Sequence, residues 1–108
     1  MNKKQKRIYE QMEEMNPDAL QMDGYEDCVV GISVGFKGSC LIYDMRKIIN
    51  KMKKDDGMTE NEAWEYFDYN VLGSWMGDFT PVFLAEINPS PLSGTLGGLW
   101  QRIKLMRK

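Results

Sequence analysis

A small α+β domain, with a three-stranded antiparallel or mixed sheet and helices packed on one face, is the fold class this sequence predicts. Three observations predict it. CVVGISVG at 28–35 and SCLIY at 39–43 alternate with a period of two and are separated by a short glycine-containing turn. Apolar residues recur at helical spacing in three other segments. A third extended run, VFLAEI, follows Thr80-Pro81. The expected order is α-β-β-α-α-β, followed by a tail.

Residues 3–15 read as the first helix, because Ile8, Met12 and Met15 recur at i, i+4, i+7 with charges between them. Asn16-Pro17 ends it, since the residue before proline disfavours the helical region. Residues 1–17 therefore form an N-terminal basic helix, and 18–87 a compact α+β domain. In the first strand, Cys28, Val30, Ile32 and Val34 are expected to face the core. Val29, Gly31, Ser33 and Gly35 lie opposite, and three of these are small enough for close approach by a helix or a second subunit. Phe36-Lys37-Gly38 makes the turn and Ser39–Tyr43 the second strand.

Asp44 stands where a helix N-cap belongs, and Met45, Ile48, Ile49 and Met52 follow on one helical face. Lys51, Lys53 and Lys54 complement the dipole in the last turn, and Gly57 supplies a left-handed C-terminal cap. Thr59 and Glu62 match the capping box of a helix over Glu60–Leu72, with Ala63, Trp64, Phe67 and Val71 as its core stripe. The third strand is expected at Val82–Ile87. NPSPLSGTLGG at 88–98 has linker composition, and LWQRIKLMRK at 99–108 is a basic amphipathic tail. Ten residues do not hold a helix alone in water, so this tail orders on another surface.

Among the 108 residues, 43% are apolar and 28% charged, which fits one globular domain with one core. No apolar run approaches the roughly 18 residues of a membrane span. The start, MNKKQKRIYEQ, lacks the apolar stretch of a secretory signal, so a cytoplasmic location is expected. Cys28 and Cys40 then read as reduced thiols packed as small hydrophobes. There is no histidine, no CxxC pair, and no GxxxxGK[ST], GxGxxG, GxSxG or HExxH. Neither a metal nor a cofactor is expected, and an enzyme is not the favoured reading.

The net charge of −2 conceals a pattern. Lys3, Lys4, Lys6 and Arg7 open the chain, and Arg102, Lys104, Arg107 and Lys108 close it. The remaining 6 basic residues share the middle with all 16 acidic ones. An acidic body disfavours nucleic acid as its partner and suits docking on a basic protein surface. The basic tail has three readings: an anionic membrane surface, nucleic acid, or its own chain or a second copy.

Three segments carry a resemblance: DGYEDCVVGI, then Tyr43-Asp44, then DGMTENEAWEYFDYNVLGSWMGDFTPVF. Together they resemble a family of small proteins in bacteriophage and prophage genomes. That family's pattern runs DG-aromatic-x-D, then DGM(S/T)xxEAxE, N-x-x-G and TPxF. The resemblance covers about Asp23–Phe83. It implies a viral accessory protein acting in the host-cell cytoplasm, and it implies no chemistry.

Several candidate residues follow from the pattern. Asp27 and Asp44, brought together by the hairpin, would make a carboxylate pair for acid/base work or a divalent ion. Against that, Asp44 as a helix cap, Asp23 in an Asx-turn with Gly24, and solvated Glu26 and Asp27 explain the same residues. Tyr66, Tyr69 and Asn70 form a polar edge on the aromatic helix, where Asn70 would read a ligand or satisfy the Gly73–Gly77 loop. Trp75, Asp78, Phe79 and Thr80 occupy a loop, with Trp75 and Phe79 open to packing or to recognition. Glu60, Glu65 and Asp68 make an acidic docking face.

The favoured function is a phage-encoded accessory protein that modulates or inhibits a host or defence protein through this acidic surface. One alternative is a nucleotide-like small-ligand binder or enzyme with a carboxylate/Tyr/Asn pocket. The other is a virion or assembly component. A homodimer is also expected, from the small-residue strand face and the nine methionines.

Overall fold

The computed structural model describes residues 1–85. The end of the expected third strand, the 88–98 linker and the 99–108 tail with Arg102, Lys104, Arg107 and Lys108 lie outside them. The chain runs α1 (Lys3–Met15), a 3-10 turn (Glu26–Cys28), β1 (Val29–Gly35), β2 (Gly38–Asp44), α2 (Met45–Asp56), α3 (Glu60–Tyr66) and β3 (Val82–Leu84). The class is α+β, with a three-stranded mixed sheet. β2 is central, antiparallel to β1 and parallel to β3. Contacts group the chain into two units. One holds Met1–Ile48 and Trp75–Ala85, and the other holds Ile49–Ser74.

In the first unit α1 packs on β1 and β2. It begins with a capping box: Asn2 accepts from the Gln5 N–H, and the Gln5 side chain accepts from the Asn2 N–H at 3.0 Å. Gln5 is buried, and its Nε2 also donates to the Asp27 carbonyl at 2.6 Å. Ile8 and Met12 are buried as the helical spacing predicts, while Met15 stays exposed. At the other end Asn16 Nδ2 donates to the Ser39 carbonyl at 2.8 Å. Two amide side chains thus fasten both ends of α1, one to the segment leading into β1 and one to β2.

The hairpin departs from strict alternation. A bulge between Val29 and Gly31 sets Val29 opposite Tyr43, then Gly31 opposite Ile42 and Ile32 opposite Leu41. An inserted residue reverses the facing of everything before it. Val29 therefore joins Leu41 and Tyr43 in the core, whereas Val30 is only half-buried and Val34 is exposed. The bulge corrects the expected Cys28–Val30–Ile32–Val34 core face at Val30, while Cys28 is buried as expected and Val34, on the strand face of Ile32, is exposed beside the turn. The turn is Phe36-Lys37, with Gly35 paired to Gly38. Gly38 takes φ +131°, and a Cβ there would lie 2.7 Å from the Phe79 ring. Glycine serves both the turn and the close approach.

α2 starts where Asp44 Oδ1 accepts from the Lys47 N–H at 3.2 Å, so Asp44 is its cap. Met45, Ile48, Ile49 and Met52 are all buried. Gly57 ends the helix at φ +66°. In the second unit Thr59 and Glu62 form the expected capping box, each side chain bonded to the other's backbone N–H. Trp64 and Phe67 are buried and meet edge to face, with ring centroids 6.0 Å apart. The helix expected over Glu60–Leu72 changes character midway. Phe67–Leu72 is π-helical, a wider turn that periodicity alone does not reveal.

Candidate functional site

The register places Asp27 and Asp44 at the same end of the hairpin, since Val29 pairs with Tyr43. Each carboxylate has a local contact. Asp27 Oδ1 lies 3.7 Å from Cys28 Sγ, and Asp44 caps α2. Among the described residues no group of three or more His, Cys, Asp or Glu could hold a metal ion. The Asp23–Gly24 turn is closed differently from the expected Asx pattern. The Gly24 N–H donates to Glu26 Oε1 at 2.9 Å, so Glu26 is not merely solvated.

Between α1 and β2 lies a feature that sequence reasoning missed. The hydroxyls of Tyr9 and Tyr43 are 3.1 Å apart. The Tyr43 hydroxyl also accepts from the Met22 N–H at 3.0 Å, and the Tyr9 hydroxyl donates to the Glu26 carbonyl at 3.3 Å. Burial pushes both phenols above their ordinary pKa, Tyr9 further raised by its bond to Tyr43. The pair pins the 20–28 segment. It also supports the sheet, because the Tyr43 ring lies 6.5 Å from Phe83 of β3.

The opposite end of the hairpin presents a surface. The Trp75–Thr80 loop closes on itself: the Met76 N–H donates to Thr80 Oγ1, and Thr80 Oγ1 donates to the Gly77 carbonyl. Three contacts dock this loop on the hairpin tip. Cys40 Sγ reaches the Asp78 carbonyl at 3.4 Å, Lys37 Nζ stands 3.8 Å from Asp78 Oδ1, and the Phe79 ring covers Gly38. Of the two loop aromatics, Phe79 turns inward and Trp75 outward. Trp75 is 73% exposed, Met76 72%, Val34 81%, and Phe36 wholly exposed. Sequence reasoning named Trp75 but passed over Val34, Phe36 and Met76. The signal for Phe36 was present, because an aromatic at a two-residue hairpin tip has no sheet to pack on.

The second unit carries its own aromatic surface. Tyr66 is 46% and Tyr69 85% exposed, with exposed Glu65 beside Tyr66. Asn70 Nδ2 donates back to the Tyr66 carbonyl at 3.3 Å rather than forward into the Gly73–Gly77 loop. Ser74 Oγ donates to the Asn70 carbonyl and closes the π-turn. Gly73 is required there, since a Cβ would lie 2.7 Å from the Tyr69 carbonyl oxygen. Of the acidic residues, Glu60 is engaged internally. One oxygen takes the Lys53 ammonium at 3.0 Å and the other the Trp64 indole N–H at 3.1 Å. Glu65 faces solvent and Asp68 is half-buried.

Both cysteines are buried and neither forms a disulfide, as expected of structural thiols. No helix among the described residues is long and apolar enough to cross a membrane. Compared with protein-family models, curated proteins and solved structures, the chain shows no match.

Proposed function

We propose that this chain is a phage-encoded accessory protein that binds a host or defence protein and alters its action. The observation that carries the reading is the set of exposed large apolar side chains on two segments of the first unit that are docked on each other: Val34 and Phe36 at the hairpin tip, Trp75 and Met76 in the loop. Large apolar side chains left in solvent on adjoining segments mark binding surfaces, and aromatic anchors dominate the energetics of such contacts. The loop is held shut by its own hydrogen bonds and tied to the hairpin, so little ordering entropy remains to be lost on binding. The acidic contribution shifts from the original trio. Glu60 is engaged inside the second unit, and exposed Glu65 with Tyr66 and Tyr69 supplies an acidic-aromatic element suited to a basic partner surface.

Affinity capture from host lysate tests the reading with two proteins, the native chain and its Phe36→Ser/Trp75→Ser variant. The native chain is expected to retain a defined protein that the variant loses at least tenfold, with unchanged circular dichroism. Equal retention by both would remove the aromatic cluster from the account.

A further inference from the structure

The outward face of α1 carries a segregated charge distribution. Lys3, Lys4, Lys6 and Arg7 occupy the N-terminal half, and Glu10, Glu13 and Glu14 the C-terminal half. All seven are exposed. The first turn holds no acid and the last turn no base. This gradient opposes the helix macrodipole, which favours anions at the N-terminus and cations at the C-terminus. No ion pair found among the described residues involves any of the seven. The arrangement therefore disfavours the isolated helix, and no ion pair among the described residues offsets this.

Its spacing supplies the reason. Lys3, Arg7, Glu10 and Glu14 fall at i, i+4, i+7, i+11, one continuous seam along the helix. Lys4 and Gln11 flank one side of the seam, and Lys6 and Glu13 the other. Ile8 and Met12 point to the core, so the seam is the face turned away from it. We propose that this face binds the same face of a second copy, antiparallel, about a two-fold axis crossing the seam between Arg7 and Glu10. In that arrangement Lys3 meets Glu14 of the other copy, Arg7 meets Glu10, and Lys6 meets Glu13, each contact occurring twice.

The two macrodipoles then also run antiparallel, and the adverse gradient within each helix becomes an attraction between helices. A nucleic-acid partner fits less well, because phosphates drawn to the basic half would be repelled by the three glutamates on the same face. The interface is small. A helix of 13 residues spans about 20 Å, well short of the surface buried by a permanent dimer. The dimer is therefore weak, concentration-dependent and sensitive to salt.

Sedimentation velocity on the full chain tests this at about 10 mM and about 1 M salt, where the screening lengths are about 30 and 3 Å. Concentration-dependent dimers are expected at low salt and monomers at high salt. Two charge reversals sharpen the test: Lys3→Glu/Lys6→Glu/Arg7→Glu, and Glu10→Lys/Glu13→Lys/Glu14→Lys. Each reversal corrects the charge at one helix end and places like charges at i, i+4, so circular dichroism of each variant checks that the helix is retained. Each is expected to be monomeric alone, and their equimolar mixture to associate at low salt. The milder Arg7→Gln/Glu10→Gln variant is expected to weaken the native dimer at least threefold without touching the fold. A native chain monomeric at both salts, a dimer that survives either reversal, or a mixture that fails to associate would each overturn the proposal. So would binding of a duplex oligonucleotide, abolished by the lysine-arginine reversal, without self-association.

Discussion

At the residue scale the decisive side chains are those whose polar atoms reach across the sequence. Tyr43 is wholly buried, and its hydroxyl holds both Tyr9 and the Met22 N–H. Tyr43→Phe leaves that N–H without its acceptor, a cost of about 1–3 kcal/mol. Chemical denaturation of the two proteins at neutral pH measures it. Alkaline pH gives a second readout. Both phenols have folded-state pKa values raised above the ordinary 10.0, so folding favours their neutral forms. Below pH 10 the two states bind the same number of phenolic protons and this stability is fully present. Above pH 10 the unfolded chain releases protons that the folded chain keeps, so stability falls as pH rises. The native chain is expected to lose stability more steeply than a Tyr9→Phe/Tyr43→Phe variant between pH 9 and pH 11, and parallel curves would contradict the assignment.

None of this was legible in the chain itself. Tyr9 sits on a helix flank and Tyr43 ends a strand, and nothing local says that their hydroxyls meet. The capping residues were legible for the opposite reason. Asn2 lies three residues from Gln5, Thr59 three from Glu62, and Asp44 three from Lys47, so the partner of each is fixed by helix geometry.

At the element scale, helices with a clear apolar stripe were placed correctly because burial and periodicity agreed. α2 buries all four residues that its spacing selects. Two irregularities escaped, the bulge in β1 and the π-turn at Phe67–Leu72. Each inserts a residue into a regular repeat, and neither bears a residue type that demands it. The hairpin tip is where an element's geometry bears on the proposed binding surface. Gly38 combines φ +131° with the Phe79 ring 2.7 Å from the position of a Cβ. Gly38→Ala is expected to cost more than about 1 kcal/mol, from backbone strain together with displacement of Phe79. Thermal unfolding would register this as a lower Tm. Because Phe79 anchors the Trp75 loop, the same variant should also weaken partner capture. A variant with native stability and native capture would show that Phe79 does not position the loop.

At the scale of the whole molecule, each unit pairs a buried core with large side chains left in solvent. In the first unit these are Val34, Phe36, Trp75 and Met76, and in the second Tyr66 and Tyr69. The acidic middle of the chain points toward a protein partner, and the three residues read from it, Glu60, Glu65 and Asp68, differ in exposure and in local bonding. Glu60 looked like surface charge, yet it accepts from both Lys53 and the Trp64 indole. Trp75 was legible as an open aromatic from its loop position, whereas Val34 was assigned to the core because alternation alone does not show that the strand has run out to the exposed turn there. In the proposed function the hairpin tip and its docked loop form the surface a partner protein touches. A photo-crosslinking amino acid placed in turn at Phe36, at Trp75 and, as a control, at the exposed Lys47 of α2 reads this out. One partner protein is expected to crosslink from positions 36 and 75 and not from position 47. No adduct from either position, or the same adduct from all three, would contradict it.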